Sequence, residues 1–211
     1  MTLAVEQLSL GQVGTNCYLV RANRAAAAAV VVDPGAAAAE IRLSLARSNA
    51  TCAAILLTHS HFDHFGALAD LVEGTGAPVW LPEAELDVFR RPNDFFPGFP
   101  TRPFTAEATL LGGGETVEAA GISFQVRHVP GHSPGHLSYY ADGCLFSGDV
   151  LFAGSVGRTD LPFGDWDVLL ESIRSLADAY PPETVVYSGH GPATTLGDEL
   201  ARNPFLAELR A

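Results

Sequence analysis

One stretch, THSHFDH at residues 58–64, decides how this chain is interpreted. It follows directly on the short apolar run 55–57, which is typical of a buried strand. If the backbone stays extended beyond that strand, the side chains of His59 and His61 point to the same side. A turn at Phe62 would then present Asp63 and His64 beside them. Three imidazoles and one carboxylate within six residues indicate a metal site, because these groups are good ligands for Zn, Fe or Mn.

Three more candidate ligands follow apolar strands farther along the chain, each beside a glycine. They are His132 in PGH (130–132), Asp149 in SGD (147–149) and His190 in SGHG (188–191). Glycine lets the backbone approach a crowded site, and loops at one edge of a sheet form the sites of α/β proteins. Together with the four ligands of the 58–64 stretch, which are His59, His61, Asp63 and His64, the candidate ligands number seven, which is too many for one tetrahedral ion. They fit two ions about 3.5–4 Å apart that share one carboxylate.

Strands alternate with helices along the chain, which predicts the α/β class. Short apolar or alternating runs predict strands, and helical spacing predicts helices at 36–47, 66–72, 165–180 and 196–209, the last interrupted by Pro204. The predicted strands are 5–10, 17–20, 28–32, 53–57, 78–81, 109–111, 122–129, 137–140, 145–146 and 185–187.

The segment 90–104 departs from this alternation because it holds four prolines and four phenylalanines. Proline is excluded from helix interiors and central strands, so the segment is predicted to be an ordered loop. It could be a surface loop that packs its own rings. Alternatively, it is a lid that places Phe95, Phe96 and Phe99 over a substrate pocket.

Composition excludes several classes of function. The formal net charge is −12, and all 12 basic residues are Arg, so nucleic acid is not an expected ligand. The longest apolar run, 25–32, is far shorter than the roughly 20 residues that cross a bilayer. Three scattered Cys and an N-terminus unlike a signal peptide favour a cytoplasmic protein without a disulfide framework. The length predicts one domain over residues 1–211.

The ligand pattern resembles the metallo-β-lactamase superfamily. The pattern runs His59-x-His61-x-Asp63-His64 and continues to His132, Asp149 and His190. The stretches PGHSPGH (130–136), GDVLF (148–152), GSVGRTDLP (154–162) and GHGP (189–192) resemble its glyoxalase II-type branch, in the short form. The resemblance implies a four-layer αββα sandwich, with two mixed sheets flanked by helices and the metals at one edge between them.

The resemblance also implies roles for the ligands. His59, His61 and His132 would hold a first divalent ion, Asp63, His64 and His190 a second, and Asp149 would bridge them. Asp63 could in addition accept a proton. Zn is the favoured metal, with Fe or Mn as alternatives, and a hydroxide between the two ions would be the nucleophile. The implied substrate is a small thioester such as S-lactoylglutathione or a similar hydroxyacyl-thiol.

Three residues outside the ligand set have two interpretations each. Asp33 is either a turn residue before Pro34 or a carboxylate that orients a metal-bound His. His136 is either a hydrogen-bonding partner of the site or a plain strand-end residue. Arg158 either pairs with Asp160 or contacts an anionic part of the substrate.

An alternative function on the same fold is a persulfide dioxygenase with a single iron. That branch also shows a Gly-Arg-Thr-Asp stretch, so Arg158 does not separate the two functions. The Gly-Pro that follows His190 favours the hydrolase. The di-iron electron-transfer branch of the family has Glu where His61 stands in this chain. A metal-binding or scaffolding protein with an inactive site is a further alternative, but the presence of all seven ligands counts against it.

Overall fold

The computed structural model describes residues 2–210, and within them two six-stranded sheets lie face to face. The first sheet contains, in both chain and spatial order, β1 (Ala4–Leu10), β2 (Thr15–Arg21), β3 (Ala28–Val32), β4 (Thr51–Leu56), β5 (Val79–Pro82) and β6 (Thr109–Leu111). Strands β1 to β3 pair antiparallel and strands β3 to β6 pair parallel, so this sheet is mixed.

The second sheet is built from the second half of the chain. Its strands and the hairpin attached to them are β7 (Thr116–Ala119), β8 (Ile122–His128), β9 (Leu137–Ala141), β10 (Cys144–Gly148), the hairpin β11 (Leu151–Phe152) and β12 (Ser155–Val156), β13 (Val185–Ser188) and β14 (Thr194–Thr195). The spatial order is β14-β13-β10-β9-β8-β7. Strands β10 and β13 pair parallel and their neighbours antiparallel, so this sheet is mixed as well.

Helices cover the outer faces of both sheets. They are α1 (Ala38–Arg47), α2 (Phe62–Phe65), α3 (Leu68–Thr75), α4 (Leu86–Arg90), α5 (Pro92–Phe95), α6 (Trp166–Ala179) and α7 (Leu196–Arg202). Ile41 of α1 and Leu71 of α3 are buried in one apolar cluster with Val31 of the first sheet. Ile173 of α6 is buried in another cluster with Val186 of the second sheet. The predicted four-layer αββα sandwich with two mixed sheets is therefore confirmed.

The inner strands of the first sheet are buried on both faces, which explains why β3 and the second half of β4 are continuous apolar runs. In β4, Ile55 belongs to the cluster beneath the helices. Its neighbours Ala54 and Leu56 belong to the cluster between the sheets, with Phe124 and Tyr139 of the second sheet. The strand therefore ends at the rim between the two sheets, where the THSHFDH stretch begins.

Two local predictions are wrong in part. The turn predicted at Phe62 is a short helix, α2, which precedes the helix predicted at 66–72. The segment 90–104 is not all loop, because it contains the one-turn helix α5. Pro92 stands at the start of that helix, where its missing N–H would have no helical partner anyway.

The described helices give no candidate membrane span. The longest, α6, has 14 residues and is amphipathic, with Leu169, Ile173 and Leu176 buried on one stripe. It begins where the Asp165 side chain accepts a hydrogen bond from the Val168 N–H.

A close backbone contact fixes the ligand stretch against the turn after β3. A Cβ on Gly35 would lie 1.6 Å from the carbonyl oxygen of Asp63.

We therefore expect Gly35→Ala to lower the free energy of unfolding of the metal-free protein by about 1–3 kcal/mol or more, because the backbone must shift. Urea denaturation followed by circular dichroism measures this loss. Gly98→Ala is the matched control, since a Cβ there meets open space. Equal unfolding midpoints for the two variants would contradict the prediction.

Candidate metal centre

The first ligand group lies where β4 ends and where the loop after β8 begins. Potential ligand atoms of His59, His61 and His132 all lie within 4.8 Å of one another. The Nδ1 atom of His61 lies 2.8 Å from Nε2 of His132. Both side chains of the extended His59–His61 segment therefore face one side, as the sequence predicts, and His132 meets them from the second sheet.

Hydrogen bonds fix the tautomers of two of these imidazoles. The Thr58 hydroxyl donates to Asp33 Oδ2 at 2.7 Å, so it accepts from Nδ1–H of His59, which lies 3.0 Å away. Nδ1–H of His132 donates to the Arg158 carbonyl oxygen at 2.8 Å. In both rings Nε2 is therefore the nitrogen without a proton, and it faces the group, which is the form that binds a metal.

The second group consists of Asp63, His64 and His190, whose ligand atoms also lie within 4.8 Å of one another. Oδ2 of Asp63 lies 3.4 Å from Nε2 of His190 and accepts a 2.6 Å hydrogen bond from the Thr15 hydroxyl. Nδ1–H of His64 donates to Asp33 Oδ2 at 3.0 Å. Of the two interpretations of Asp33, this geometry agrees with the carboxylate that orients a histidine.

Asp149 lies between the two groups. Its Oδ2 is 3.6 Å from Nε2 of His132 in the first group and 3.5 Å from Nε2 of His190 in the second. Its Oδ1 is 3.3 Å from Nε2 of His64. One carboxylate therefore faces donor atoms of both groups.

The donor set fits a pair of cations. Nε2 of His59, Nε2 of His64 and Oδ1 of Asp149 are buried and make no hydrogen bond among the described residues. Buried polar atoms without partners are costly, and three of them directed at the same groups are suited to bind cations. Imidazole nitrogens together with carboxylate oxygens are typical ligands of Zn and Fe.

The two groups differ in charge. Burial and the neighbouring His132 lower the pKa of His61 to about 3, and burial also depresses the pKa of His59. Hydrogen bonding of the His190 ring N–H to the Asp149 and Asp63 carboxylates raises the pKa of His190 to about 9. Burial lowers the pKa of His64, but the charge of Asp149 outweighs it and holds that pKa above its usual range. His59 and His61 of the first group are thus neutral imidazoles, whereas a cation in the second group would displace protons from His64 and His190.

His136 and Arg158 both contact the site. Nε2 of His136 accepts a 3.0 Å hydrogen bond from the Asp149 N–H, and its ring stacks on His59 with centroids 4.6 Å apart. Of its two interpretations, the hydrogen-bonding partner agrees with this geometry. The Arg158 guanidinium forms two 2.7 Å hydrogen bonds to Asp160, so the ion pair is present, and contact with a substrate anion stays a prediction.

The phenylalanines of the 90–104 segment reach the metal centre unequally. Phe96 is half-buried and meets the His61 ring edge-on at 5.6 Å. Phe99 is 52% exposed and stacks on Phe62 at 4.1 Å. Phe95 is 42% exposed, and no ring contact of it is found among the described residues. A cleft of about 520 Å³ lies beside them and is lined in part by Asp63, Phe62 and Phe99.

Sequence reasoning missed the hydroxyls that hold the ligands. Thr15 binds Asp63 across 48 residues of chain, and Thr58 links His59 to Asp33. Thr58 is the first residue of the ligand stretch, so its position was a usable signal. Thr15 lies in β2 with no local pattern around it, and only the sheet brings it to Asp63.

Comparisons with known proteins agree with this geometry. The family model described as Metallo-beta-lactamase superfamily matches residues 10–190. The chain is 35% identical to hydroxyacylglutathione hydrolase GloC of Haemophilus influenzae, over 90% of this chain and 92% of that protein. The solved structure of BLEG-1, a B3 metallo-beta-lactamase, superposes with a TM-score of 0.90 at 40% identity, covering 97% of this chain and 100% of the other. The di-iron-bound form of TTHA1623 superposes with a TM-score of 0.86 at 40% identity, covering 96% and 100%.

The position of Asp149 generates a prediction about metal content. We expect the wild-type chain to retain about two transition-metal ions, His64→Ala about one, and Asp149→Ala fewer than one, because a carboxylate between two ions supports both. Inductively coupled plasma mass spectrometry after dialysis measures this directly. Equal metal content in the two variants would show that Asp149 serves one ion only.

Proposed function

The chain belongs to the metallo-beta-lactamase superfamily, and from this premise we propose that it is a dinuclear metal-dependent hydrolase of small thioesters. One observation carries the proposal: the Asp149 carboxylate lies 3.5–3.6 Å from histidine nitrogens of both ligand groups. A site for a single ion would not need Asp63, His64 and His190 as a second group. The similarity to GloC, a hydroxyacylglutathione hydrolase, supports hydrolysis of a thioester.

In this proposal the chain's residues hold and orient the reacting groups. His59, His61 and His132 hold the first ion, Asp63, His64 and His190 the second, and Asp149 is shared. Bound ions would supply Lewis-acid activation of the ester carbonyl and would lower the pKa of a water toward neutrality. Zn is the metal we propose first, with Fe and Mn as the alternatives that the same ligand types allow.

Asp63 acts in this scheme chiefly as a ligand. Burial raises the pKa of its carboxyl, but the hydrogen bonds from His190 and Thr15 and the charge of His64 outweigh it and hold that pKa well below its usual range. A carboxylate this acidic is a weak proton acceptor in the resting site. Its role in accepting a proton therefore stays a prediction.

The shortage of proton donors at the site indicates which leaving group the substrate has. The described His and Asp side chains of the site belong to the two ligand groups or, for His136 and Asp33, form hydrogen bonds that orient them. Nδ1 of His136 makes no hydrogen bond among the described residues, but it is buried and not presented to a substrate. An amine or alkoxide leaving group needs a proton donor, whereas a thiolate leaves without one because thiols have pKa values of about 8.5. The arrangement therefore favours a thioester over an amide.

The acyl group of the substrate would contact Phe96 and Phe99, with Phe95 at the rim. Phe96 already touches the His61 ring, and Phe99 lines the cleft beside Asp63. An apolar or weakly polar acyl group suits such a surface. The thiol part would extend toward Arg158, and an anionic thiol would have to compete there with Asp160. The proposed partner is a small molecule, since the net charge of −12 disfavours nucleic acid.

Three assays on metal-reconstituted protein test the function. We expect release of thiol from S-lactoylglutathione, and loss of this activity by about a hundredfold or more in Asp149→Ala. Oxygen uptake with glutathione persulfide and no thiol release would identify a dioxygenase instead. Hydrolysis of a β-lactam without hydrolysis of thioesters would identify a lactamase.

The contacts of the 90–104 segment generate a prediction on specificity. Replacing Phe95, Phe96 and Phe99 together with Ala should raise KM for thioesters with apolar acyl chains about tenfold or more, because each ring removed from a pocket costs about 1–3 kcal/mol. Metal content should not change, because none of the seven candidate ligands lies in the segment.

Steady-state kinetics with short and long acyl chains measure this effect. Leu43→Ala is the control, since Leu43 is an exposed apolar residue on α1. If the triple variant keeps the wild-type KM for both chain lengths, the segment is only a surface feature.

A further inference from the structure

Glu85 is a buried carboxylate that joins the two loops of the first ligand group. We propose that Glu85 is a positioning residue that sets the spacing of His59, His61 and His132 and thereby the affinity of the first ion. The inference rests on the proposed dinuclear site but not on the choice of substrate. Glu85 ends a single turn of 3-10 helix, Glu83–Glu85, after β5, and is 3% exposed.

The contacts of Glu85 reach both ligand loops. Oε2 accepts a 2.6 Å hydrogen bond from the N–H of Ser60, which stands between His59 and His61. Oε1 accepts a 2.6 Å hydrogen bond from the hydroxyl of Ser133, next to His132, and a 2.8 Å hydrogen bond from the Gly135 N–H. All three partners are donors, which a carboxylate satisfies with its two oxygens.

The packing around Glu85 requires a glycine on the second loop. A Cβ on Gly135 would lie 2.7 Å from Cγ of Glu85 and 3.1 Å from Cβ of Ala84. The loop after β8 therefore lies directly against the turn that carries Glu85. Charge-assisted hydrogen bonds such as these are stronger and more directional than neutral ones, so the two loops are held at a fixed separation.

That separation matters because the two loops approach each other closely at the ligands. Nδ1 of His61 and Nε2 of His132 lie 2.8 Å apart. His61 follows Ser60 and His132 precedes Ser133, and these two serines are the residues that Glu85 joins. A small displacement of either loop changes the distance between these donors, and metal sites need ligands held close to their productive geometry. Glu85 itself contacts backbone and hydroxyl groups beside the ligands, so it acts through them.

Glu85→Gln tests the proposal with little change in volume. Glutamine has one acceptor oxygen, so its NH2 group must face either the Ser60 N–H or the Ser133 and Gly135 donors. We expect the dissociation constant of Zn²⁺ at the first group to rise about tenfold or more. Competition of the metal-free full chain with a chelator measures it, in the wild type and in a His64→Ala background that impairs the second group. The visible spectrum of bound Co²⁺ is expected to change as well.

Glu199→Gln is the matched control. Glu199 is likewise buried and accepts hydrogen bonds from the Gly154 N–H, the Thr194 hydroxyl and the Asn203 amide, outside the two loops that carry His59, His61 and His132. The Glu199→Gln variant should lose stability without change in Zn²⁺ affinity or in the Co²⁺ spectrum.

Ser133→Ala removes one of the three donors to Glu85 and is expected to weaken Zn²⁺ binding less than Glu85→Gln does. This milder variant tests the proposal if Glu85→Gln does not fold.

The proposal is overturned if Glu85→Gln and Ser133→Ala bind Zn²⁺ as the wild type does. It is also overturned if Glu199→Gln weakens Zn²⁺ binding as much as Glu85→Gln. A wild-type chain that binds two ions but hydrolyses no thioester contradicts the proposed substrate, and the effect of Glu85 on Zn²⁺ affinity is then still measured. The two failures are therefore distinguishable.

Discussion

The Asp149 carboxylate is the constraint on which the rest of the site depends. It is buried, its oxygens lie 3.3–3.6 Å from three histidines, and its backbone N–H is held by His136. Two positions beside it have no room for a side chain. A Cβ on Gly157 would lie 1.8 Å from the Asp149 carbonyl oxygen, and one on Gly189 would lie 2.0 Å from Oδ1. Glycines at the strand ends thus have a steric cause, because they let loops close around one carboxylate.

The sandwich brings these loops together through polar contacts at the rim of its inner core. The Tyr18 ring is buried between the sheets, and its hydroxyl donates to the carbonyl oxygen of Ser188 at 2.6 Å. The Tyr139 hydroxyl donates in the opposite direction, from the second sheet to the Leu57 carbonyl oxygen at 2.7 Å. Each tyrosine thus joins the inner core to a strand end beside a ligand. Burial of apolar side chains determines the distance between the sheets, and the hydrogen bonds from these two hydroxyls position the strand ends at the rim.

Acidic groups surround the histidines in two layers. Asp63 and Asp149 face the ligand groups themselves, whereas Asp33 and Glu85 hold the neighbouring backbone and rings. Asp33 accepts hydrogen bonds from the Thr58 N–H and hydroxyl and from the His64 ring, so it orients ligands of both groups. Anionic groups near a cation site raise the basicity of the ligands and offset positive charge in a buried environment. The arrangement is that of a site built for cations.

The sequence by itself determined the α/β class, most strands and all seven candidate ligands, because these depend on local signals. Apolar runs mark strands buried on both faces, and His and Asp beside glycine mark strand ends. The four-layer architecture came from resemblance to a family. Only the tertiary structure decided which residues support the ligands: Thr15 lies 48 residues from Asp63, Asp33 lies 31 from His64, and Glu85 lies 48 from Ser133. It also decided that Phe96, not Phe95, touches His61. These contacts depend on how the two sheets pack and where their loops come together. The hydrophobic periodicity along the chain predicts helices and strands but carries no information about such distant contacts.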